Sequence, residues 1–205
     1  MPRIILLTGF APFGGERSNP SWEVASQLEG HGFDGVAIKS IRLPVNCGRA
    51  SHAVIDAITK LSPAAVVGLG QAGGRPVLSL EKIAINLADP RAERERDGGL
   101  QGKPVIAGGP DAYFARLPLD AILRSLKRHD IPAAISLSAG VYVCNTVMYS
   151  ALHTLRRRRT PVGFIHLPYD AAQAAHHRAV ASMSLPTMTA GVEIALETIA
   201  RTLRR

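Results

Sequence analysis

Short runs of apolar, often β-branched residues alternate along the chain with stretches in which apolar positions recur every three or four residues. The first pattern predicts buried strands and the second amphipathic helices. Their alternation predicts an α/β protein with a largely parallel sheet. Strands are expected at Arg3–Thr8, Val36–Leu43, Ala64–Leu69, Ala133–Leu137 and Val162–Leu167. Helices are expected at Pro20–Leu28, Gly48–Leu61, Leu117–His129, Val143–Arg156 and Thr187–Leu203, the last placed by Pro186 before it. Asn19 stands as an N-cap with Pro20 at the first helical position, and Ala50, Val54, Ile55 and Ile58 give the second helix its apolar face. Val77–Leu87 reads as a strand interrupted by Glu81, and the polar, glycine-containing Ala88–Leu100 as a long surface loop. No repeat, low-complexity tract or linker divides the chain, so residues 1–205 are expected to form one domain.

Composition narrows the class. With 46% apolar and 20% charged residues, the chain is neither disordered nor a coiled coil. No apolar run approaches a membrane span, and Ile4–Thr8 is too short for a secretory signal, so a cytoplasmic protein without a membrane partner is expected. Its 2 cysteines, Cys47 and Cys144, are too few for a disulfide framework, and no Cys or His cluster has zinc spacing. A net charge of +8 raises nucleic acid as a partner. The cations, however, gather in Arg156–Arg159 and in Arg201, Arg204 and Arg205, near predicted helix ends that favour positive charge, and no aromatics interleave with them. No nucleic-acid partner is therefore expected.

Ligands of such sheets bind beyond the carboxyl ends of the strands. That places Gly9–Asn19, Gly70–Arg75, Ser138–Asn145 and His166–Asp170 at one edge. Within them, Cys144 falls at a predicted helix start, where the dipole and free N–H groups favour a thiolate and can hold an oxyanion. Cys47 also lies near a helix start, but no histidine-bearing strand end obviously faces it. His166 interrupts an apolar strand. It is either a hydrogen-bonded structural residue or the base of a Cys–His pair. Glu81, inside another apolar strand, needs a partner: either a salt bridge, for which Lys82 is badly placed, or an imidazole to orient. His31, His52, His129, His153, His176 and His177 read as solvated. Gly14-Gly15 and Gly73-Gly74 lack the spacing of a phosphate loop.

Together these segments resemble the pyroglutamyl peptidase I family. The resemblance is carried in order by Thr8-Gly9-Phe10-Ala11-Pro12-Phe13-Gly14-Gly15 with Asn19-Pro20, by Gly68–Arg75, by Glu81–Asn86, by Ser138–Asn145 around Cys144, and by Gly163–Pro168 around His166. It implies a three-layer α/β/α sandwich around a mostly parallel, mixed sheet. It also implies a cysteine omega-peptidase that removes N-terminal pyroglutamate from peptides, with Glu81, Cys144 and His166 as its catalytic set. Phe10, Phe13, Asn19, Gln71, Tyr142 and Val143 would line the pyroglutamyl pocket, with Arg91 near the reacting carbonyl. A homotetramer is implied, and neither a metal nor an organic cofactor. Two departures stand out: Ala92–Gly99 replaces the family's Pro-Asp-Asn-like turn, and Glu16 stands where some members carry an aromatic.

Three other readings compete: a phosphorylase-like transferase on a related sheet, a basic nucleic-acid-binding module, and a family member that binds without cleaving. Phosphate dependence, salt-dependent retention on nucleic acid, or absence of thiol-dependent hydrolysis would distinguish them.

Overall fold

The computed structural model describes residues 3–33, 35–89 and 102–203. Its strands are β1 (Arg3–Phe10), β2 (Gly32–Phe33), β3 (Val36–Leu43), β4 (Ala65–Gln71), β5 (Leu78–Glu81), β6 (Ile83–Ile85), β7 (Ala112–Phe114), β8 (Ala133–Ser136) and β9 (Val162–Leu167). Its helices are α1 (Pro20–Gln27), α2 (Cys47–Leu61), α3 (Leu119–Arg128), α4 (Val143–Thr154), α5 (Ala171–Ala174) and α6 (Leu185–Thr202). Seven strands form one sheet in the order β2-β3-β1-β4-β9-β5-β8, and β6 pairs with β7 in a second.

The apolar runs become strands because both faces of the sheet are covered. Ile5, Leu7, Val67, Leu69, Ile165 and Leu167 belong to a core shared with α1, α3 and α6. Leu6, Val66 and Phe164 belong to a second core with α2 and α4, on the opposite face. The result is a three-layer α/β/α sandwich around a mixed, mostly parallel sheet. Side-chain caps start several helices: Asn19 on α1, Asn46 on α2, Asp170 on α5 and Ser184 on α6.

Several predicted elements take a different form. The strand expected over Val77–Leu87 breaks after Glu81: β5 stays in the main sheet, while β6 leaves it to pair with β7. Lys82 at the break bonds Ser136 O through its N–H (2.8 Å) and accepts from Ala115 N (2.8 Å). Pro186 lies inside the first turn of α6 rather than ahead of it. β2, β7 and α5 are too short to show a period.

Strand direction also differs from the parallel pattern. β3, β1, β4 and β9 are parallel, but β5 runs antiparallel to β9, and β8 follows β5. Ser138–Asn145 therefore does not leave its strand at the carboxyl edge of β4 and β9, as expected. The chain doubles back through Leu137–Tyr142, with Gly140 at φ +80°, a conformation open to glycine, and starts α4 beside β4.

Candidate active site

The parallel register of β4 and β9 sets Gly70 beside His166, and the antiparallel register of β5 and β9 sets Ser79 beside His166 and Glu81 beside Phe164. Side chains alternate across a strand, so Gly68, Gly70, Phe164, His166 and Glu81 share the face covered by α4. On that face His166 Nδ1 lies 2.7 Å from Glu81 Oε1. Glu81 is 0% exposed and His166 5%, which shields their attraction from water.

Cys144 is the second residue of α4. A Cβ built on Gly70 would lie 2.8 Å from its Sγ and 2.8 Å from the Phe164 ring. The missing side chain at Gly70 is thus the space that the thiol occupies, on the strand next to the imidazole. Phe164 packs on the other side, with its ring 4.9 Å from that of His166.

The electrostatics around the thiol add influences that helix position alone does not include. Burial and then the negative charge of Glu81 push the Cys144 thiol up to about 12, with Cys47 adding to the rise. Arg75 and a backbone hydrogen bond act the other way but are outweighed. At this thiol burial outweighs the dipole of α4, and the shift favours the protonated form.

For Glu81, burial is the largest influence and raises its pKa. It is outweighed by the hydrogen bond to His166, the Ser136 hydroxyl, the attraction of His166 and the Arg75 hydrogen bond, which together leave it below the ordinary 4.5. An ionised carboxylate only accepts, so His166 Nδ1 carries the proton and Nε2 is left as the basic nitrogen.

Arg75 is the partner that sequence reasoning missed: its Nη1 lies 2.6 Å from the same Oε1 of Glu81. The available signal was a cation six positions before a buried acid, directly after the Gly73-Gly74 turn. Gly74 has φ +84° there, and a Cβ at Gly73 would enter the Tyr169 ring.

Beside the thiol is a narrow cleft of about 40 Å³ lined by Phe10, Phe13, Asn19, Val45, Gln71, Tyr142, Val143 and Cys144. The structure thus brings together Phe10, Phe13, Asn19, Gln71, Tyr142 and Val143, and adds Val45. Phe10 is buried at the base, and Phe13, at 38% exposure, stands at the rim. Arg91 and Ala92–Gly99 lie outside the described residues. Glu16 does not line the cleft; it turns to His177, 2.7 Å away.

α4 begins at Tyr142 without a side-chain cap, so its first-turn N–H groups receive no side-chain acceptor there. Cys47, the first residue of α2, is fully buried in the core that this helix shares with α4. Four histidines are more than solvated: His153 Nδ1 meets the Tyr113 hydroxyl at 2.9 Å, His177 stacks on Tyr169 at 4.6 Å, His129 Nδ1 lies 2.9 Å from Ser125 O, and His31 Nδ1 lies 3.9 Å from Glu193 Oε1. No group of three or more potential metal ligands occurs among the described residues.

A thiol one strand away from a carboxylate-braced imidazole, at the edge of an α/β/α sandwich, is an arrangement of the cysteine-dependent hydrolases, the class to which the chain belongs. More narrowly, it belongs to the pyroglutamyl peptidase family, whose family model matches residues 3–202. A pyrrolidone-carboxylate peptidase of Yersinia pestis is 43% identical over 196 residues, covering 95% of this chain and 91% of the relative. The crystal structure of pyroglutamyl peptidase I from Bacillus amyloliquefaciens superposes with a TM-score of 0.90 at 37% identity, covering 98% of this chain and 96% of that one. A mutant pyrrolidone carboxyl peptidase from Pyrococcus furiosus gives a TM-score of 0.90 at 34% identity, covering 98% and 99%.

Proposed function

We propose that this chain hydrolyses the bond after an N-terminal pyroglutamyl residue, with Cys144 as nucleophile, His166 as general base and acid, and Glu81 as the orienting carboxylate. The observation that carries the assignment is the buried Glu81–His166 pair at 2.7 Å, one strand from the thiol seated on Gly70. Sγ attacks the pyroglutamyl carbonyl carbon as its proton passes to His166 Nε2. The imidazolium gives that proton to the departing amine, leaving a thioester. Water, deprotonated by His166, then attacks the thioester and releases pyroglutamate and the thiol. Because the shift favours the protonated thiol, proton transfer accompanies attack instead of preceding it. Glu81 holds Nδ1–H and offsets the imidazolium charge, and Arg75 keeps that carboxylate ionised. The first-turn N–H groups of α4 meet the oxyanion. No metal or organic cofactor enters these steps.

Pyroglutamate is a flat, neutral lactam, matched to a narrow cleft between Phe10, Phe13, Val45, Tyr142 and Val143. An ordinary peptide would bring a charged amino terminus into the same cleft and lose its hydration without a paired anion, a cost of several kcal/mol.

The proposal extends to a cytoplasmic homotetramer that engages neither nucleic acid nor membrane. Arg156–Arg159 form an exposed turn after α4, and no described helix is long and apolar enough to cross a membrane.

The test compares a pyroglutamyl-arylamide with its prolyl analogue, before and after Cys144→Ser. Turnover of the pyroglutamyl compound alone, abolished in the variant, is expected. Equal turnover of both would end the lactam assignment, and undiminished activity in the variant would remove Cys144 from the reaction.

A further inference from the structure

The side-chain amides around the cleft have their two ends assigned by backbone groups. A carboxamide turns end for end with little change in shape, but a backbone N–H only donates and a backbone C=O only accepts. Asn19 Oδ1 accepts from Ser21 N at 3.0 Å and Ser21 Oγ at 2.8 Å, and Nδ2 donates to Ala11 O at 3.1 Å. That amide is largely committed to the turn between β1 and α1, and it is 1% exposed.

Gln71 is fixed differently, through Gln173. Gln173 is 3% exposed and lies outside the cleft lining. Its Oε1 accepts from Asp170 N at 3.3 Å, and its Nε2 donates to Ser18 O at 3.3 Å, so its orientation is set from both ends. The capping box of α5 holds it in place, with Asp170 Oδ1 accepting from Gln173 N at 2.8 Å. The same Nε2 lies 3.0 Å from the side-chain oxygen of Gln71. Since Gln173 presents a donor, the Gln71 atom facing it is the acceptor Oε1. The end of Gln71 left for the cleft is its –NH2.

We propose that Gln173 is a specificity-determining positioning residue: by holding Gln71 Oε1, it commits the Gln71 –NH2 to the cleft as a donor that reads a ring carbonyl. The inference rests on the reading of the cleft as a lactam pocket, and it names the lactam oxygen as the atom that Gln71 recognises. A prolyl ring carries CH2 at that position and would leave the donor desolvated and unpaired. A reversed Gln71 would oppose its own oxygen to the ring carbonyl, so the orientation imposed by Gln173 selects the substrate from a layer behind the contact.

The bare lactam 2-pyrrolidone serves as the probe, read by its protection of Cys144 from iodoacetamide, with the labelled position established by peptide mass analysis. In Gln173→Met both polar ends are lost. In Gln173→Glu a carboxylate faces Gln71 and draws its –NH2 end away from the cleft. Either variant should need about tenfold more 2-pyrrolidone for the same protection, the upper range for one neutral hydrogen bond. Alkylation without the lactam should keep the wild-type rate, which a general loosening of the loops would not allow. Gln71→Glu keeps the bond from Gln173 and places an acceptor in the cleft, so it must lose protection even if the Gln173 variants fail to fold. Unshifted protection in the folded variants, or protection and bare alkylation changing together, would overturn the inference alone. A wild-type protein that 2-pyrrolidone does not protect would overturn the lactam reading and this inference with it.

Discussion

The thiol of Cys144 is biased toward its protonated form by the same features that make the site. Burial against Gly70 and Phe164 disfavours the thiolate, and the Glu81 carboxylate that braces His166 disfavours it further. With the thiol pushed up to about 12, the thiolate fraction grows roughly tenfold per pH unit well past neutrality. Iodoacetamide labelling of Cys144 in the absence of substrate should therefore keep accelerating through about pH 10, without the plateau below roughly pH 8 that a preformed thiolate gives. Such an early plateau would show that the helix terminus and imidazole overcome burial. Position in sequence pointed to Cys144 because a thiol at a helix start is chemically distinctive. It could not give the direction of the thiol's shift, which depends first on burial and then on a carboxylate 63 positions earlier in the chain, reached only through the sheet.

At the scale of elements, the site depends on glycines in β4 as much as on its charged groups. Gly68 yields to the Phe164 ring, which a side chain there would enter, and Gly70 yields to both that ring and Cys144 Sγ. Gly70→Ala should leave a folded protein destabilised by about 1–3 kcal/mol, the range for overpacking. Its kcat/KM should fall about 100-fold, since a displacement of roughly 1 Å misaligns the reacting atoms. Thermal unfolding and arylamide kinetics together check this, and near-normal kcat/KM would mean that the thiol does not need that space. The strands carrying these residues were legible because β1, β4 and β9 hold apolar runs, and Glu81 and His166 stood out as polar interruptions. The direction of β8 was not legible, because a four-residue apolar run looks the same parallel or antiparallel. Arg75 and Gln173 were missed as site residues for a related reason: each acts through a partner brought close by a turn or a crossover.

The whole molecule joins two blocks of sheet at the site. β3, β1, β4 and β9 run one way, β5 and β8 the other, and the seam lies between β9 and β5, where His166 meets Glu81. A fully buried carboxylate at that seam is tolerable because Arg75 and His166 both engage its Oε1. Glu81→Gln keeps the shape but removes the charge, leaving Arg75 without its anion. At neutral pH the variant should be less stable by about 3 kcal/mol, the lower end for breaking a buried pair, because Arg75 retains contact with solvent. The pH dependence fixes the sign. The folded-state pKa of Glu81 lies below the ordinary 4.5, so its contribution is fully present above that value and disappears as pH falls through the lower folded value. Urea unfolding of both proteins at several pH values should show a gap that is constant near neutrality and closes in acid. A gap that persists unchanged in acid would assign the loss to packing instead of charge. No gap at neutral pH would mean that the pair serves the chemistry of His166 without holding the two blocks together.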